Sequence, residues 1–405
     1  MKRSSVLVIG GGINQVALVN EARGRGLRIV VTDINQNPPC KSLADYFYQI
    51  DTTDKTETLR IARYHKISAV MTDQSDAAVP TAAHIAAELR LPGLECLTAE
   101  IFTNKFLMRE TLWKRAYQYS PKHFAKFTDK SSALNHLRNL GENLQCVIVK
   151  PIDSQGSKGV GRLSNSNWEL QVDKAFSESR SHTIIIEEFV EGIEYSVDSV
   201  VVDSNVTCLA IGRKEHFPNN ECLDQRIVFM ASFIDQFRQT LVRANQEVLL
   251  GLGLHTGLTH AEFIVANDRI LLVEVAARGG GARIASSIVP HISKFETSKF
   301  LVDFATGVQP LEVNVSHSGD TSAILHFFKP NSGVLKHVDI GPRATELSRV
   351  FHLDFSGPQS WGDPMDSRSR VGFFIVAADS YQEAQELETA VLQSVSFICE
   401  YQTSW

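Results

Sequence analysis

A chain of 405 residues, 43% hydrophobic and 21% charged, is globular and long enough for two or three domains. Its net charge of −6 argues against electrostatic binding of nucleic acid, and no apolar run approaches the roughly 20 residues that cross a bilayer. Six cysteines (Cys40, Cys96, Cys146, Cys208, Cys222, Cys399) are scattered without a CxxC pair, the pattern of reduced core thiols in a cytoplasmic protein.

The amino terminus begins like a secretory leader, but its apolar run breaks into glycines after four residues. It reads instead as a buried strand over residues 6–9. A tight turn at Gly10-Gly11-Gly12 follows, then a helix over 15–25, a strand over 28–32 ending at Asp33, a strand over 69–72 and a helix over 77–89. Strand and helix alternate as in an open parallel sheet of Rossmann type. The glycine turn with Asp33 suggests a dinucleotide site, yet Gln15 stands where that fingerprint needs a third small residue. Asp33 is read as structural, and the turn as a surface that a substrate or the neighbouring helix approaches.

From about residue 97 the pattern changes. Thr103-Asn-Lys105-Phe-Leu-Met-Arg109 opens a helix with Lys105 near its amino end. Cys146-Val-Ile-Val-Lys150-Pro151 is a β-branched run ending in lysine, and Ser154-Gln-Gly156-Ser157-Lys158-Gly159-Val-Gly161 comes next. A loop of this kind offers backbone N–H groups and hydroxyls to phosphate oxygens, although the Walker A spacing is absent. A strand over 183–186 then runs into Glu187-Glu188-Phe189-Val190-Glu191-Gly192-Ile193-Glu194. Such a strand end can meet an adenine edge and ribose hydroxyls, or can simply be solvated; the segment alone does not decide. Residues 237–250 carry apolar side chains at helical spacing and read as core packing.

The segment that bears most on chemistry is His260-Ala-Glu262-Phe-Ile-Val-Ala-Asn267-Asp268-Arg269-Ile-Leu-Leu-Val-Glu274, continuing through Val-Ala276-Ala to Arg278-Gly-Gly-Gly-Ala-Arg283. Burying two carboxylates between aliphatic strands is costly without a cation, and oxygen-only ligands suit magnesium. Glutamates on the solvent face of a hairpin would also interrupt an apolar run. The pleat separates the two readings. A three-residue loop at 267–269 puts Glu262 and Glu274 opposite each other on one face, whereas a two-residue turn at Asn267-Asp268 puts them on opposite faces. Metal use therefore predicts the odd-length loop, or a bulge with the same effect.

Basic groups for a substrate carboxylate are sought in residues 213–218, Arg226, His260, Arg278 and Arg283, with Arg278 preferred and His260 second; His260 reads either as a base for an amine or, more simply, as a histidine hydrogen-bonded within its strand. After about residue 310, strands are expected over 321–328, 333–338, 370–377 and 397–401, a helix over 381–393 and a polar loop over 357–364.

Taken in order, these parts resemble the ATP-grasp family over residues 97–307, with residues 1–92 similar to its usual Rossmann-like preceding domain. The resemblance implies an α/β fold (α+β overall) in three parts. These are a Rossmann-like domain over 1–96, an ATP-grasp domain of two α+β subdomains over 97–310 with its lid over about 120–192, and a small β-rich carboxy-terminal subdomain over 311–405. It also implies roles. Lys105 and Lys150 contact ATP phosphates, and the loop with Ser154, Gly156, Ser157, Lys158 and Gly159 is a mobile lid. Glu187, Glu188, Phe189 and Val190 form the adenine hinge, with Phe189 and Val190 offering backbone groups, and Glu194 is the ribose acid. Glu262 and Glu274 hold magnesium, or manganese in its place, and Arg278 steadies an acyl phosphate.

Many members place an asparagine two residues after the last glutamate, where this chain has Ala276. The Glu-x-Ala-Ala-Arg variant looks most like the L-amino acid ligase branch, which joins two amino acids, and somewhat like biotin carboxylase and formate-dependent relatives. The implied activity is an ATP-dependent, ADP-forming carboxylate-amine ligase acting on small carboxylate and amine substrates, expected as a homodimer. The alternatives are a formyl- or carboxyl-transfer enzyme of the same family, and a nucleotide-binding regulatory or NAD-dependent protein.

Overall fold

The computed structural model describes residues 3–400 apart from 165, 232–236, 267–268, 356, 358 and 364. Near the amino terminus, strands Tyr46–Gln49, Arg28–Asp33, Ser5–Ile9 and Ala69–Met71 lie side by side in that order, all parallel. Alternate side chains go to opposite faces, as the pleat requires. Val6, Val8, Ile29 and Val31 pack against helix Val16–Gly24 and against Val302 and Ala305 of helix Thr297–Thr306. Leu7, Ile9 and Val30 pack against helices Lys55–His65 and Val79–Leu89. Covering on both faces explains why the central strand is apolar throughout. The sequence analysis locates all of this except the edge strand 46–49 and the helices 55–65 and 297–306.

A four-stranded antiparallel sheet follows, in the order Phe124–Phe127, Ile184–Glu188, Val147–Pro151, Gly161–Arg162. Helices Lys130–Leu140 and Trp168–Glu178 bury Leu137, Val172 and Ala175 against it.

The largest element is an eight-stranded antiparallel sheet. Its spatial order is Ile270–Ala276, Gly257–Val265, Ile193–Val202, Asn205–Phe217, Asn220–Met230, Ser322–Phe328, Gly372–Ala378, Val350–Leu353. Helix Arg238–Gly251 lays Leu241, Ala244, Val248 and Leu249 on its core, as the apolar stripe predicts. Strands from beyond residue 311 extend this sheet directly. A further three-stranded sheet, Gln359–Trp361, Gly333–Ile340, Val395–Glu400, packs with helix Tyr381–Gln393. The expected polar loop over 357–364 thus holds a short strand, its residues 358 and 364 lying outside the described ones, as does residue 401 of the expected last strand. No helix among the described residues is long and apolar enough to cross a membrane.

Candidate active site

On the edge of the large sheet, Glu262 lies directly opposite Glu274. Asn267 and Asp268, whose turn the sequence reading weighed, lie outside the described residues, and the register is set by a bulge. Val265 faces Ile270 and Phe263 faces Leu272, but the next pair is Glu262 with Glu274, so Val273 is the extra residue. The Val273 carbonyl accepts a hydrogen bond from Arg109 Nη2 at 2.6 Å. Both glutamates line one cavity of 190 Å³.

Lysines occupy the carboxylates. Lys105 Nζ is 3.2 Å from Glu274 Oε2, and Lys214 Nζ is 2.6 Å from Glu262 Oε1. Lys214 also lies 2.7 Å from Glu194 and 3.3 Å from Asp224. Burial alone would lower its pKa, but these three acids hold it well above the ordinary lysine value. His216 completes the group, 3.0 Å from Glu194 and 3.4 Å from Asp224. One ammonium shared by three carboxylates leaves an excess of oxygen donors, the condition a divalent cation requires. Glu194, His216 and Asp224 are themselves close enough to hold one ion together. Ala276 lines the cavity without offering an oxygen, so the donors present are those of Glu262, Glu274 and their acidic neighbours.

Lys105 and Lys150 are both buried and both line the cavity. Lys105 sits at the start of helix Lys105–Arg115, capped by the Asn104 side chain, and donates from Nζ to Ser154 O at 2.8 Å. Lys150 Nζ reaches Glu187 Oε1 at 2.6 Å. The Glu187 carboxylate is also gripped by Arg109 at 2.8 and 3.2 Å. Burial pushes Glu187 up, but the two cations outweigh it and hold its carboxyl down to about 2. Glu187 is therefore a buried counter-ion that fixes Lys150 and Arg109 on the cavity wall. Glu188 is similarly engaged by Arg269, with two contacts at 3.0 Å, and by Lys122 N–H. At the hinge, Phe189 N–H donates to Cys146 O at 2.8 Å and so is not open to an adenine edge, and the Arg162 guanidinium covers the Phe189 ring.

The glycine-rich loop lies over the cavity. Ser154, Gly156 and Ser157 line it, with Ser157 Oγ donating to Cys222 O at 2.6 Å and Gly156 O accepting from Ser367 N at 3.0 Å. Lys158 and Gly159 depart from the expectation. Lys158 lines a neighbouring cavity instead, and Gly159 lines neither; a Cβ there would stand 2.9 Å from Glu178 and Pro151, so this glycine serves packing.

Arg278 lines the cavity but is held by Asp76 of the amino-terminal sheet region, through Nε and Nη2 at 2.7 Å each, and donates from Nη1 to Gly279 O. Asp73 reaches the same turn, accepting from Gly279 N at 3.0 Å. The glycines are required. A Cβ on Gly279 would stand 2.4 Å from Ala285 Cβ, and one on Gly280 would stand 2.8 Å from His260 Nδ1. The turn thus closes directly over a buried pair, His260 Nδ1 to Asp198 Oδ1 at 2.9 Å. Burial lowers the His260 pKa, but Asp198 and Glu262 outweigh it and raise it to about 9. Held by Asp198 on Nδ1 and lying 3.6 Å from Glu262 through Nε2, His260 is placed to orient Glu262.

Of the other basic candidates, Arg226 is engaged by Glu388 and Glu215, and Arg283 is held against the amino-terminal sheet region by Gln74 Oε1 and Ile13 O. Only Lys214 from the 213–218 group lines the cavity. Sequence reasoning missed its depth, along with Arg109, Asp76, Asp224 and Arg370. The inward pleat of strand Asn205–Phe217, with Lys214 buried between exposed Arg213 and Glu215, was the available signal. The glycine turn at 10–12 holds no open acid, since Gly11 N donates to Asp33 Oδ2 and Asn35 N to Asp33 Oδ1. Asp33 is structural, as expected.

Two antiparallel sheets facing one cavity, with paired glutamates, deep lysines and a covering glycine loop, define a nucleotide site of ATP-grasp type. Residues 143–286 match the model of the ATP-grasp domain. The chain carries that domain. It is 26% identical over 428 residues to phosphoribosylamine–glycine ligase of Methanococcus maripaludis, covering 96% of this chain and 93% of that protein. It is 24% identical over 301 residues to formate-dependent phosphoribosylglycinamide formyltransferase of Synechococcus sp., covering 72% and 74%. The solved structure of L-amino acid ligase from Bacillus licheniformis shares the fold, with a TM-score of 0.80 at 21% identity over 99% of this chain and 100% of that one.

Proposed function

We propose that this protein is an ATP-dependent, ADP-forming carboxylate-amine ligase that activates a small carboxylic acid, an amino acid in the first instance, as an acyl phosphate and joins it to an amine. The observation that carries the reading is the bulge-set register that brings Glu262 and Glu274 onto one cavity beside Lys105 and Lys214. Their oxygen donors fit magnesium, which when bound would neutralise charge on the phosphoryl group.

The acid's carboxylate oxygen attacks the γ-phosphorus of ATP, the bond to the ADP oxygen breaks, and an acyl phosphate results. The amine nitrogen then attacks the acyl carbon, the carbon–oxygen bond breaks, and phosphate departs with the electron pair and the proton shed by nitrogen. Lys105 and Lys150 supply positive charge to phosphate oxygens from fixed, buried positions, so little reorganisation is needed as charge moves. Glu187 and Arg109 keep Lys150 aimed, and Asp76 keeps Arg278 aimed at the acid. The loop from Ser154 to Ser157, bonded to Cys222 and Ser367, excludes water that would hydrolyse the acyl phosphate. The hinge contact to adenine falls to Val190, and the ribose contact to Glu194.

Formyl transfer, with formate as the acid, remains a second reading because formate-dependent relatives match across about three quarters of the chain. Phosphate release from ATP and magnesium, screened with single amino acids, pairs of amino acids, and formate or bicarbonate, separates the readings. Release that needs two amino acids supports dipeptide synthesis; formate dependence supports the second; no release with any mixture refutes the ligase assignment. We expect a cytoplasmic homodimer, which size-exclusion chromatography of the purified protein would check.

A further inference from the structure

Strand Asn205–Phe217 sends two side chains of one face toward the acids, Lys214 and, two residues on, His216. His216 pairs across its hairpin with Asp224, and the register shifts there: Glu215 faces Arg226, so Gln225 is an extra residue. Such a bulge re-aims the side chains beside it. Glu194 arrives from the adjoining strand Ile193–Val202, next to Tyr195, which faces Arg213.

Lys214 and His216 divide the carboxylate oxygens between them. Lys214 Nζ takes Glu194 Oε1 at 2.7 Å and Asp224 Oδ2 at 3.3 Å, and Arg370 lies 3.9 Å from that same Asp224 oxygen. Glu194 Oε2 and Asp224 Oδ1 face His216 Nε2 instead, at 3.0 and 3.4 Å. One ligand atom from each of the three residues lies within 4.8 Å of the other two. Atoms bound at about 2.0–2.1 Å to a tetrahedral zinc ion stand about 3.3 Å apart, a spacing that the two contacts to His216 straddle. An ion can therefore replace these two hydrogen bonds with little movement of the side chains, the imidazole proton leaving to solvent. Lys214, on the far oxygens, supplies the outer support that holds metal-binding carboxylates in place. The His216 side chain is 22% exposed, which leaves a way in and a fourth position for water.

We propose that Glu194, His216 and Asp224 form a zinc site, separate from the magnesium position at Glu262 and Glu274. The imidazole decides the metal. Nitrogen ligands suit zinc and its transition-metal neighbours, whereas magnesium takes oxygen. The consequence for turnover rests on the reading of Glu194 as the ribose contact. An ion on Glu194 Oε2 withdraws that carboxylate from the nucleotide, so zinc and ATP oppose each other and the site acts as a brake on the enzyme.

The test titrates untagged, metal-free protein with zinc chloride by calorimetry, with magnesium in excess throughout to fill oxygen-only sites. Wild type should bind zinc, and cobalt(II) in its place should show the intense visible bands of a tetrahedral ion. His216→Gln and Asp224→Asn, on different strands so that one misfolded variant does not end the test, should each weaken zinc binding more than about tenfold at an unchanged circular dichroism spectrum. Glu274→Ala should bind zinc as wild type does. No zinc binding by wild type, binding undiminished in the folded variants, or binding lost in Glu274→Ala and kept in His216→Gln would each overturn the proposal. In the phosphate-release assay, free zinc fixed by a chelator buffer should raise the KM for magnesium-ATP in wild type and not in His216→Gln. An unchanged KM in zinc-loaded wild type would overturn the brake. Absence of phosphate release with every acid would sink the ligase reading instead, and the calorimetry would still decide the metal site.

Discussion

Glu388 and Glu262 are both carboxylates packed against the same eight-stranded sheet, each with a cation at 2.7 Å or less. Glu388 takes Arg226 on both oxygens, at 2.7 and 2.8 Å, and His326 at 2.8 Å, which joins helix Tyr381–Gln393 to strands Asn220–Met230 and Ser322–Phe328. Its lone pairs are filled by one fork-shaped cation and one imidazole. Glu262 shares the Lys214 ammonium with Glu194 and Asp224, has the His260 imidazole 3.6 Å away, and borders a cavity. The first cluster is closed and holds architecture; the second gathers three carboxylates round one lysine at the wall of a cavity. Burial and ion pairing alone do not mark a functional site, whereas clustered carboxylates next to open space point to one.

The contrast can be broken at several points. Glu274→Ala should reduce ATP-dependent phosphate release by about a thousandfold or more while the circular dichroism spectrum and melting temperature hold; turnover near wild type would remove the metal role. Glu388→Ala should do the reverse, costing about 3 kcal/mol in urea denaturation because Arg226 loses its two-oxygen partner and keeps its contact to Glu215, with activity per folded molecule unchanged. Lys214→Met should destabilise by about 3 kcal/mol, and added magnesium should recover more of that loss than it adds to wild type, since the ion would replace the missing cation. Equal magnesium effects in both proteins would show that the cluster is as closed as that of Glu388.

The smallest effect concerns Asp73, whose carboxyl is pushed by burial up to about 6 against its ordinary 3.8, with Gln74 and Gly279 opposing. The folded state keeps this proton longer than the unfolded chain, so the stability it contributes is full below pH 4 and declines as pH rises to 6. Asp73→Asn should flatten that decline, by about 2–3 kcal/mol, in melts taken from pH 4 to 7. An unchanged slope would show that Asp73 titrates normally.

Much of this was legible in the sequence because the parts are local. The β-branched run ending at Lys150, the glycine loop and the two glutamates each announce themselves within a dozen residues, and the parallel sheet follows from alternating strand and helix patterns. The bulge was legible only as a requirement. The carbonyl of its extra residue, Val273, is taken by Arg109, 164 residues away. Lys214 and Asp76 escaped for the same reason, since a lysine in a strand and an aspartate in a loop look solvated until distant partners are known. Glu187 misled in the opposite sense. It stands at the strand end expected to serve as the hinge, but the cations on either side of it engage its side chain.

The continuity of the large sheet sets a limit on how the molecule can be cut. Strand Ser322–Phe328 pairs with Arg226 through Met230, and its other edge carries Gly372–Ala378. A fragment ending near residue 310 would bare a long row of backbone donors and acceptors on strand Asn220–Met230, an invitation to edge-to-edge aggregation. Such a fragment would also lose the Ser367 amide that fastens the glycine loop. Proteolysis in the carboxy-terminal third should therefore cost solubility and nucleotide retention together, although none of the paired glutamates or deep lysines lies there.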